Sequence, residues 1–324
     1  MTIAWVVGSA GLLGAALCRS LREAGTELFF PDDRFAWSEP LRLAHQIEAA
    51  VKAFAGRARQ DDPWEIHWAA GIGTMGSTAA EMAPETGALK LLLDLVQLEP
   101  GLMAGSGTLS LASSAGAIYA GTADEVITER TAPAPTTAYA VEKLRQEDLV
   151  RNFVSENPGT AALIARIATL YGPGQAAGKK QGLLGHMARC IIRNEAIHIY
   201  VPYDTIRDYI DADDAAAAMV GTVRSCSIRP TVLTKIIASE YPATIAEIIS
   251  IFRRLSRRTP LVVRSANKLS SLYTRRVRFQ SIESTNHARP PAKRLPVGIS
   301  QVMQAEHMAY IKARVPATPA LPES

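Results

Sequence analysis

An α/β fold, a doubly wound parallel sheet followed by a smaller α+β lobe, is what this chain of 324 residues predicts. Two observations carry that expectation. Short apolar runs of strand length alternate with longer stretches of helical period, which places helices on both faces of a parallel sheet. The first apolar run also ends in glycines at a fixed interval, directly before a helix.

The elements follow in order. Ile3 to Val7 reads as a fully buried strand, Leu12 to Ala24 as a helix stopped by Gly25, and Thr26 to Phe30 as a second strand. Leu41 to Ala55 is helical, Trp64 to Trp68 a strand, Leu89 to Leu98 a helix, and Thr108 to Ala112 a strand ending at Ser113 and Ser114. The stretch before Trp64 is short for a complete strand-helix unit, so a strand near Phe35 to Trp37 is expected to be brief or missing. Ala138 to Glu156 is a long helix and Ala161 to Ala165 another strand. Past Tyr171 the pattern changes: Gly172, Pro173 and Gly174 break the chain. Later come a strand near Thr231 to Ala238, a helix from Thr244 to Leu255, a strand at Leu261 to Val263 and a helix near Ile299 to Ala313. The expected division is residues 1–170 and 171–324, with some later elements returning to the first sheet.

Composition excludes several classes. Hydrophobic residues make up 48% and charged residues 20%, a balance that can bury a core. The formal charge, 35 − 31 = +4, does not point to nucleic acid. Cys18, Cys190 and Cys226 are scattered and odd in number, which implies neither a disulfide framework nor a metal site and suits a reducing cytoplasm. Residues 3–18 could pass for a secretory apolar region, but no basic segment precedes them and glycines interrupt them. No other run is long enough for a transmembrane segment.

Gly8, Gly11 and Gly14 form G-x-x-G-x-x-G between strand and helix. The first glycine permits the tight turn, the second lets backbone approach a pyrophosphate, and the third lets helix pack on strand. Ala10, Leu12 and Leu13 lie in the same turn, where free N–H groups and the helix dipole favour an anion. A packing turn without a ligand is the alternative. Asp32 and Asp33 follow the second strand, with Asp32 at 32 − 8 = 24 residues beyond Gly8. A carboxylate there can accept from ribose hydroxyls and repels a 2′-phosphate, favouring NAD; a plain polar turn at Asp32 and Asp33 is the alternative. Arg34 keeps NADP open, because a guanidinium can pair with that phosphate.

Tyr139 and Lys143 are four residues apart within a helix and so share a face. An ammonium beside a phenol favours the phenolate, which makes the pair a workable general acid/base. Ser113 and Ser114 end a strand at the carboxyl edge of the sheet, where open α/β folds bind ligands. A serine there can hold a substrate oxygen; a plain turn serine is the alternative.

Together these residues resemble the extended short-chain dehydrogenase/reductase family, the NAD-dependent epimerase/dehydratases, whose nucleotide-binding half is of Rossmann type. Further matches support the resemblance. Arg166 to Gln175 is similar to the family's R-x-x-N-x-Y-G-P-G-Q stretch, and Arg207 to Asp214 to its R-D-Y-I-x-V-x-D stretch. His67-Trp68-Ala69-Ala70 looks like its strand ending beside the cofactor.

The resemblance implies roles. Tyr139 is the catalytic acid/base, and Lys143 tunes it and binds the nicotinamide ribose. Ser114 holds the reacting hydroxyl at the separation seen in UDP-galactose 4-epimerases, with Ser113 in reserve. Ala69, Ala70, Gly71, Ala112, Ser113 and Ala168 line the cofactor. Thr169, Arg207 and Arg289 contact the substrate, with Arg207 gripping its diphosphate as a bidentate donor can; a surface ion pair with Asp208 or Asp211 is its alternative. The resemblance further implies a cytoplasmic homodimer joined through the Leu89 and Tyr139 helices, with no metal.

Three departures stand out. Ala115 occupies the position, four before Tyr119, where the family often has serine or threonine. Thr169 replaces a substrate-contacting asparagine, and Pro84-Glu85 replaces an asparagine at the start of the fourth helix. The acids of a 4,6-dehydratase or decarboxylase are absent, since Ala115-Gly116-Ala117 follows the serines. Cys190 and His186 do not match the extra acid and base of epimerase-reductases. What is left fits a UDP-sugar 4-epimerase that oxidises the sugar through NAD to a keto-sugar and returns hydride to its other face. A keto-sugar reductase, or an idle dinucleotide-binding protein that uses another face for a partner, remain alternatives. Residues 251–300 hold twelve Lys/Arg against one acid, Glu283, which suits a diphosphate site, an anionic partner or a solvated face.

Overall fold

The computed structural model describes residues 2–58, 62–175, 182–226, 231–265, 277–283 and 292–314. The first half runs β1 (Ile3–Val7), α1 (Leu12–Glu23), β2 (Glu27–Phe29), α2 (Pro40–Arg57), β3 (Trp64–Trp68), α3 (Ala79–Gln97), α4 (Pro100–Met103) and β4 (Gly107–Ser114). It continues through α5 (Ala115–Ile118), α6 (Ala138–Glu156) and β5 (Thr160–Ile167). The second half contains β6 (Thr169–Tyr171), α7 (Leu183–Arg193), β7 (Ile197–Ile199), β8 (Ile206–Asp211), α8 (Ala212–Cys226) and β9 (Val232–Ile237). It closes with β10 (Pro242–Thr244), α9 (Ile245–Ser256), β11 (Val262–Arg264) and α10 (Leu295–Arg314).

The main sheet has six strands in the order β2-β1-β3-β4-β5-β9, all parallel. Side-chain alternation along β1 shows how it is buried. Ala4 and Val6 join a core with α1 and α8, while Ile3, Trp5 and Val7 join one with α2, α3 and α6. Both faces are therefore dry, which is why the strands read as continuous apolar runs. No strand forms at 35–37 among the described residues. Phe35 and Trp37 instead pack edge-on against Trp5 and Trp68, with centroids 6.3 and 6.2 Å apart.

The sequence places the start of α3 at Leu89, beyond Pro84 and Gly87, but the helix begins ten residues earlier. Thr78 caps it: its Oγ1 accepts from Glu81 N while Glu81 Oε2 accepts from Thr78 N, a reciprocal pair that satisfies two end donors. Burial of Met82, Glu85 and Ala88 holds the added turns. This extension brings Glu85 into the site described below.

Chain from beyond residue 171 returns to the first sheet. β9 pairs with β5 from Ala162↔Val232 to Ile167↔Ile237, and α8 packs on α1. A separate small core gathers α7, β7, α9 and α10 around Ile199, Ile248, Phe252 and Ile299. A three-stranded sheet, β10-β8-β6, lies beside it.

Candidate active site

Parallel order brings the carboxyl ends of β1 to β5 onto one edge. The glycine turn follows β1, Asp32 and Asp33 follow β2, Ala69 to Gly71 follow β3, Ser114 ends β4, and Ala168 follows β5. Gly8 has φ +88°, which L side chains rarely adopt, and a Cβ there would lie 2.6 Å from Ala70 N. A Cβ at Gly14 would sit 2.1 Å from the Gly8 carbonyl oxygen. At Gly11 it would meet only that oxygen, at 3.3 Å. Gly11 is the N-cap of α1, makes no side-chain cap bond, and no acid occupies the first turn. The turn, including Ala10, Leu12 and Leu13, thus leaves helix-end N–H donors for an anion, which fits a dinucleotide pyrophosphate. Asp32, Asp33 and Arg34 are solvent-exposed at the adjoining strand end.

Helix α6 supplies the candidate proton-transfer pair. Thr137 caps it by accepting from Ala140 N at 3.2 Å, so Tyr139 lies in the first turn and Lys143 one turn further. Lys143 Nζ is 5.8 Å from the centre of the Tyr139 ring. The ring edge packs so closely on the loop after β3 that a Cβ at Gly73 would approach it to 3.1 Å. Lys143 is only 4% exposed. Its Nζ donates to Glu85 Oε1 at 2.8 Å and to Gln146 Oε1 at 3.0 Å, and Gln146 Nε2 donates to the same Glu85 oxygen at 3.1 Å. Burial by itself pushes the Lys143 ammonium down, but its interactions with Tyr139 and with the Glu85 carboxylate outweigh it and hold the group above the ordinary lysine value.

The two strand-end serines part company. Ser113 is buried, and its hydroxyl donates to Glu147 Oε1 at 2.7 Å. The same carboxylate accepts from Arg166 Nε at 2.9 Å and from Arg166 Nη2 at 2.6 Å, and Arg166 Nη1 donates to the Tyr119 hydroxyl. Ser113 is therefore committed to an interior network, which corrects its reserve role as the hydroxyl holder. Ser114, the half-buried N-cap of α5, makes no side-chain cap bond. Ala112 is half-buried on β4, and Ala115 is buried at the start of α5. His67 is also interior, 3.0 Å from Glu65 Oε2 on the same face of β3.

Thr169 and Arg207 share the small sheet, because Thr169 pairs with Tyr209, two residues along from Arg207. Arg207 is half-buried, and its Nη1 donates to Ile206 O at 2.8 Å. Asp208 alternates to the other face. There it accepts from Ser239 N at 2.8 Å and Glu240 N at 2.7 Å, yet burial keeps its carboxyl above the usual range. Asp211 accepts from Lys293 Nζ at 2.9 Å. Arg289 lies outside the described residues, as do Arg275 and Arg276 of the basic stretch.

Four ion-pair or hydrogen-bond roles escape the sequence reading, those of Glu85 (noted there only as a departure), Gln146, Glu147 and Arg166. A signal exists for two of them. Tyr139, Lys143, Gln146 and Glu147 fall at positions i, i+4, i+7 and i+8, one helical face.

Comparison with known proteins bears on the family and the fold. The model of the family described as "NAD dependent epimerase/dehydratase family" matches residues 4–228, well over half of the chain. A dTDP-L-rhamnose 4-epimerase of Burkholderia thailandensis is 33% identical over 96 residues, which span 29% of this chain and 26% of that relative. The solved UDP-glucose 4-epimerase of Thermus thermophilus, in complex with NAD, superposes with a TM-score of 0.77 at 17% identity, covering 95% of this chain and 100% of that one. RMD from Pseudomonas aeruginosa, complexed with NADPH, gives 0.77 at 19% identity over the same shares. At these identities the solved structures establish the fold. Among the described residues no helix is long and apolar enough to cross a membrane.

Proposed function

This chain belongs to the NAD dependent epimerase/dehydratase family, and we propose that within it the protein is a nucleotide-sugar 4-epimerase, acting on a UDP-sugar through a transient keto-sugar. One observation carries the reading: Tyr139 and Lys143 stand one turn apart at the start of α6, with Nζ 5.8 Å from the ring, beside the loop after β3 that also packs on the glycine turn.

The turn from Gly8 to Gly14 would hold the pyrophosphate of NAD, Asp32 would accept from the adenosine ribose, and Ala69, Ala70, Gly71, Ala112 and Ala168 would border the rest. A bound nicotinamide dinucleotide supplies reversible two-electron oxidation of the sugar carbon. Tyr139 takes the hydroxyl proton at its Oη as the carbonyl forms and gives it back once the keto-sugar has turned over. Ser114 hydrogen-bonds the same oxygen and fixes its direction. Lys143 keeps a positive charge beside the phenol, and its burial strengthens that field. Arg207 and Thr169, on the small sheet, hold the nucleotide diphosphate and the sugar.

No acid follows Ser114 to drive dehydration, which supports a reaction that needs only a serine, a tyrosine and a lysine. The alternative, a keto-sugar reductase drawing on NADPH, has Arg34 in its favour, since it stands exposed two residues after Asp32. The test is incubation of the purified protein with NAD and a panel of UDP- and dTDP-sugars, with products resolved by chromatography and NMR. Inversion at C4 without net change in NADH is expected. Consumption of NADPH with a keto-sugar would favour the reductase. Unchanged sugars across the panel, with dinucleotide still bound, would overturn both enzymatic readings. The proposed homodimer through α3 and α6 is tested by sedimentation of the same sample.

A further inference from the structure

We propose that Glu85 is the counter-ion that lets Lys143 stand as a buried cation beside Tyr139, a positioning residue without which the proton-transfer pair does not hold together. This rests on the reading of Tyr139 as the acid/base.

The geometry is specific. Glu85 is 8% exposed and Gln146 fully buried. Glu85 Oε1, Lys143 Nζ and Gln146 close a triangle of hydrogen bonds of 2.8, 3.0 and 3.1 Å. The carboxylate also lies flat on Gly71, where a Cβ would come within 2.9 Å of Oε1. Glu85 thus bridges the loop after β3, α3 and α6, the elements that converge on Tyr139.

The neighbouring charges are accounted for. Lys143 is faced by Glu85 from α3 and by Tyr139 and Glu147 from α6. Glu147 is already bound by Arg166 and Ser113. Glu142, on the same helix, accepts from Thr86 at 3.1 Å and Arg145 at 2.8 Å. Among the described residues Glu85 is therefore the carboxylate that Lys143 contacts directly. Burial alone disfavours that ammonium, because a low-dielectric site penalises the charged amine. Gln146 cannot replace the charge; its amide oxygen only fixes the direction of one N–H.

The test compares Glu85→Gln and Glu85→Asp with the wild type. Glutamine keeps the shape and loses the charge; aspartate keeps the charge and withdraws it by one methylene. Two readouts are used: NMR titration of lysine Nζ, with Lys143 assigned from Lys143→Met, and the pH profile of kcat/KM. In Glu85→Gln, Lys143 is expected to lose its proton at a pH lower by about one unit or more. The alkaline limb of the profile should move with it, and Glu85→Asp should recover part of the shift. An unmoved Nζ titration, or a loss of rate equal at every pH, would overturn the inference. Should Glu85→Gln fail to fold, Glu85→Asp alone carries the test: a smaller displacement in the same direction is expected, and none refutes it. The Nζ titration needs no turnover, so it distinguishes this failure from a failure of the epimerase reading.

Discussion

Helix α6 carries two buried charge clusters one turn apart, and they are built differently. The lower one, around Glu147, is saturated. Both carboxylate oxygens receive Arg166 through a bidentate fork, Ser113 adds a third donor, and Arg151 reaches the same group while donating to Thr234 at 2.8 Å. The upper one, around Lys143, joins a single ammonium to one carboxylate oxygen and one amide, with the Tyr139 ring beside it. Similar residue types thus serve two ends. A saturated pair locks β4, β5 and α6 together, because every lone pair is occupied and the desolvation cost is offset. A sparsely bonded pair beside a phenol leaves the ammonium less fully engaged, which is what the proposed acid/base role of Tyr139 requires.

Variants can break or sharpen that contrast. The largest effect is expected from Tyr139→Phe. Turnover should fall by about 10²- to 10⁴-fold while the unfolding midpoint stays near wild type; full activity would move the chemistry elsewhere. Next is Arg166→Met, which removes the bidentate partner of buried Glu147 and leaves it only the longer Arg151 contact and the Ser113 hydroxyl. It should cost roughly 3–5 kcal/mol in urea unfolding, and a neutral result would mean that the lower cluster locks nothing.

The serines divide the two clusters more finely. Ser114→Ala should lower kcat by about 10²-fold with little change in stability. Ser113→Ala should instead cost about 1–3 kcal/mol in stability, by leaving Glu147 short of a donor. Reversal of that pattern would restore Ser113 to the site.

The smallest effect concerns pH. The Lys143 ammonium is held above its ordinary value of 10.5 in the folded chain, so the stability it contributes is complete below that pH. That contribution fades as the pH rises through the folded value. The neutral pair Glu85→Gln with Lys143→Met should lose this alkaline decline in melting temperature, and a decline of unchanged size would place its origin outside the pair.

Much of the fold is legible because local pattern and global architecture agree. β1, β3 and the span of α6 read to within a residue. Each is a long apolar run or a capped helix whose period does not depend on distant chain. The start of α3 escapes because Pro84 and Gly87 argue locally against helix, while the Thr78–Glu81 cap and core burial override them. The return of β9 to the main sheet is legible as a strand, but its place as the sixth depends on which neighbour β5 could still accept.

At the site, the glycine turn, the Tyr139–Lys143 pair and the strand-end serines are legible as local motifs, and the family resemblance supplies their expected roles. Those motifs are set by one turn of helix or one strand end, distances that sequence determines directly. Local sequence does not show which of the two serines is interior; only the resemblance favours Ser114 over Ser113. Successive strand residues point to opposite faces, and only the packing of α6 against β4 decides which face is interior. Nor does local sequence show the partner of Lys143. Glu85 is 58 residues away along the chain, and a contact between helices is settled by how α3 and α6 pack. Sequence determined the parts that a single turn or strand can specify; tertiary structure alone decided which charges meet, because burial removes the water that would otherwise satisfy each of them separately.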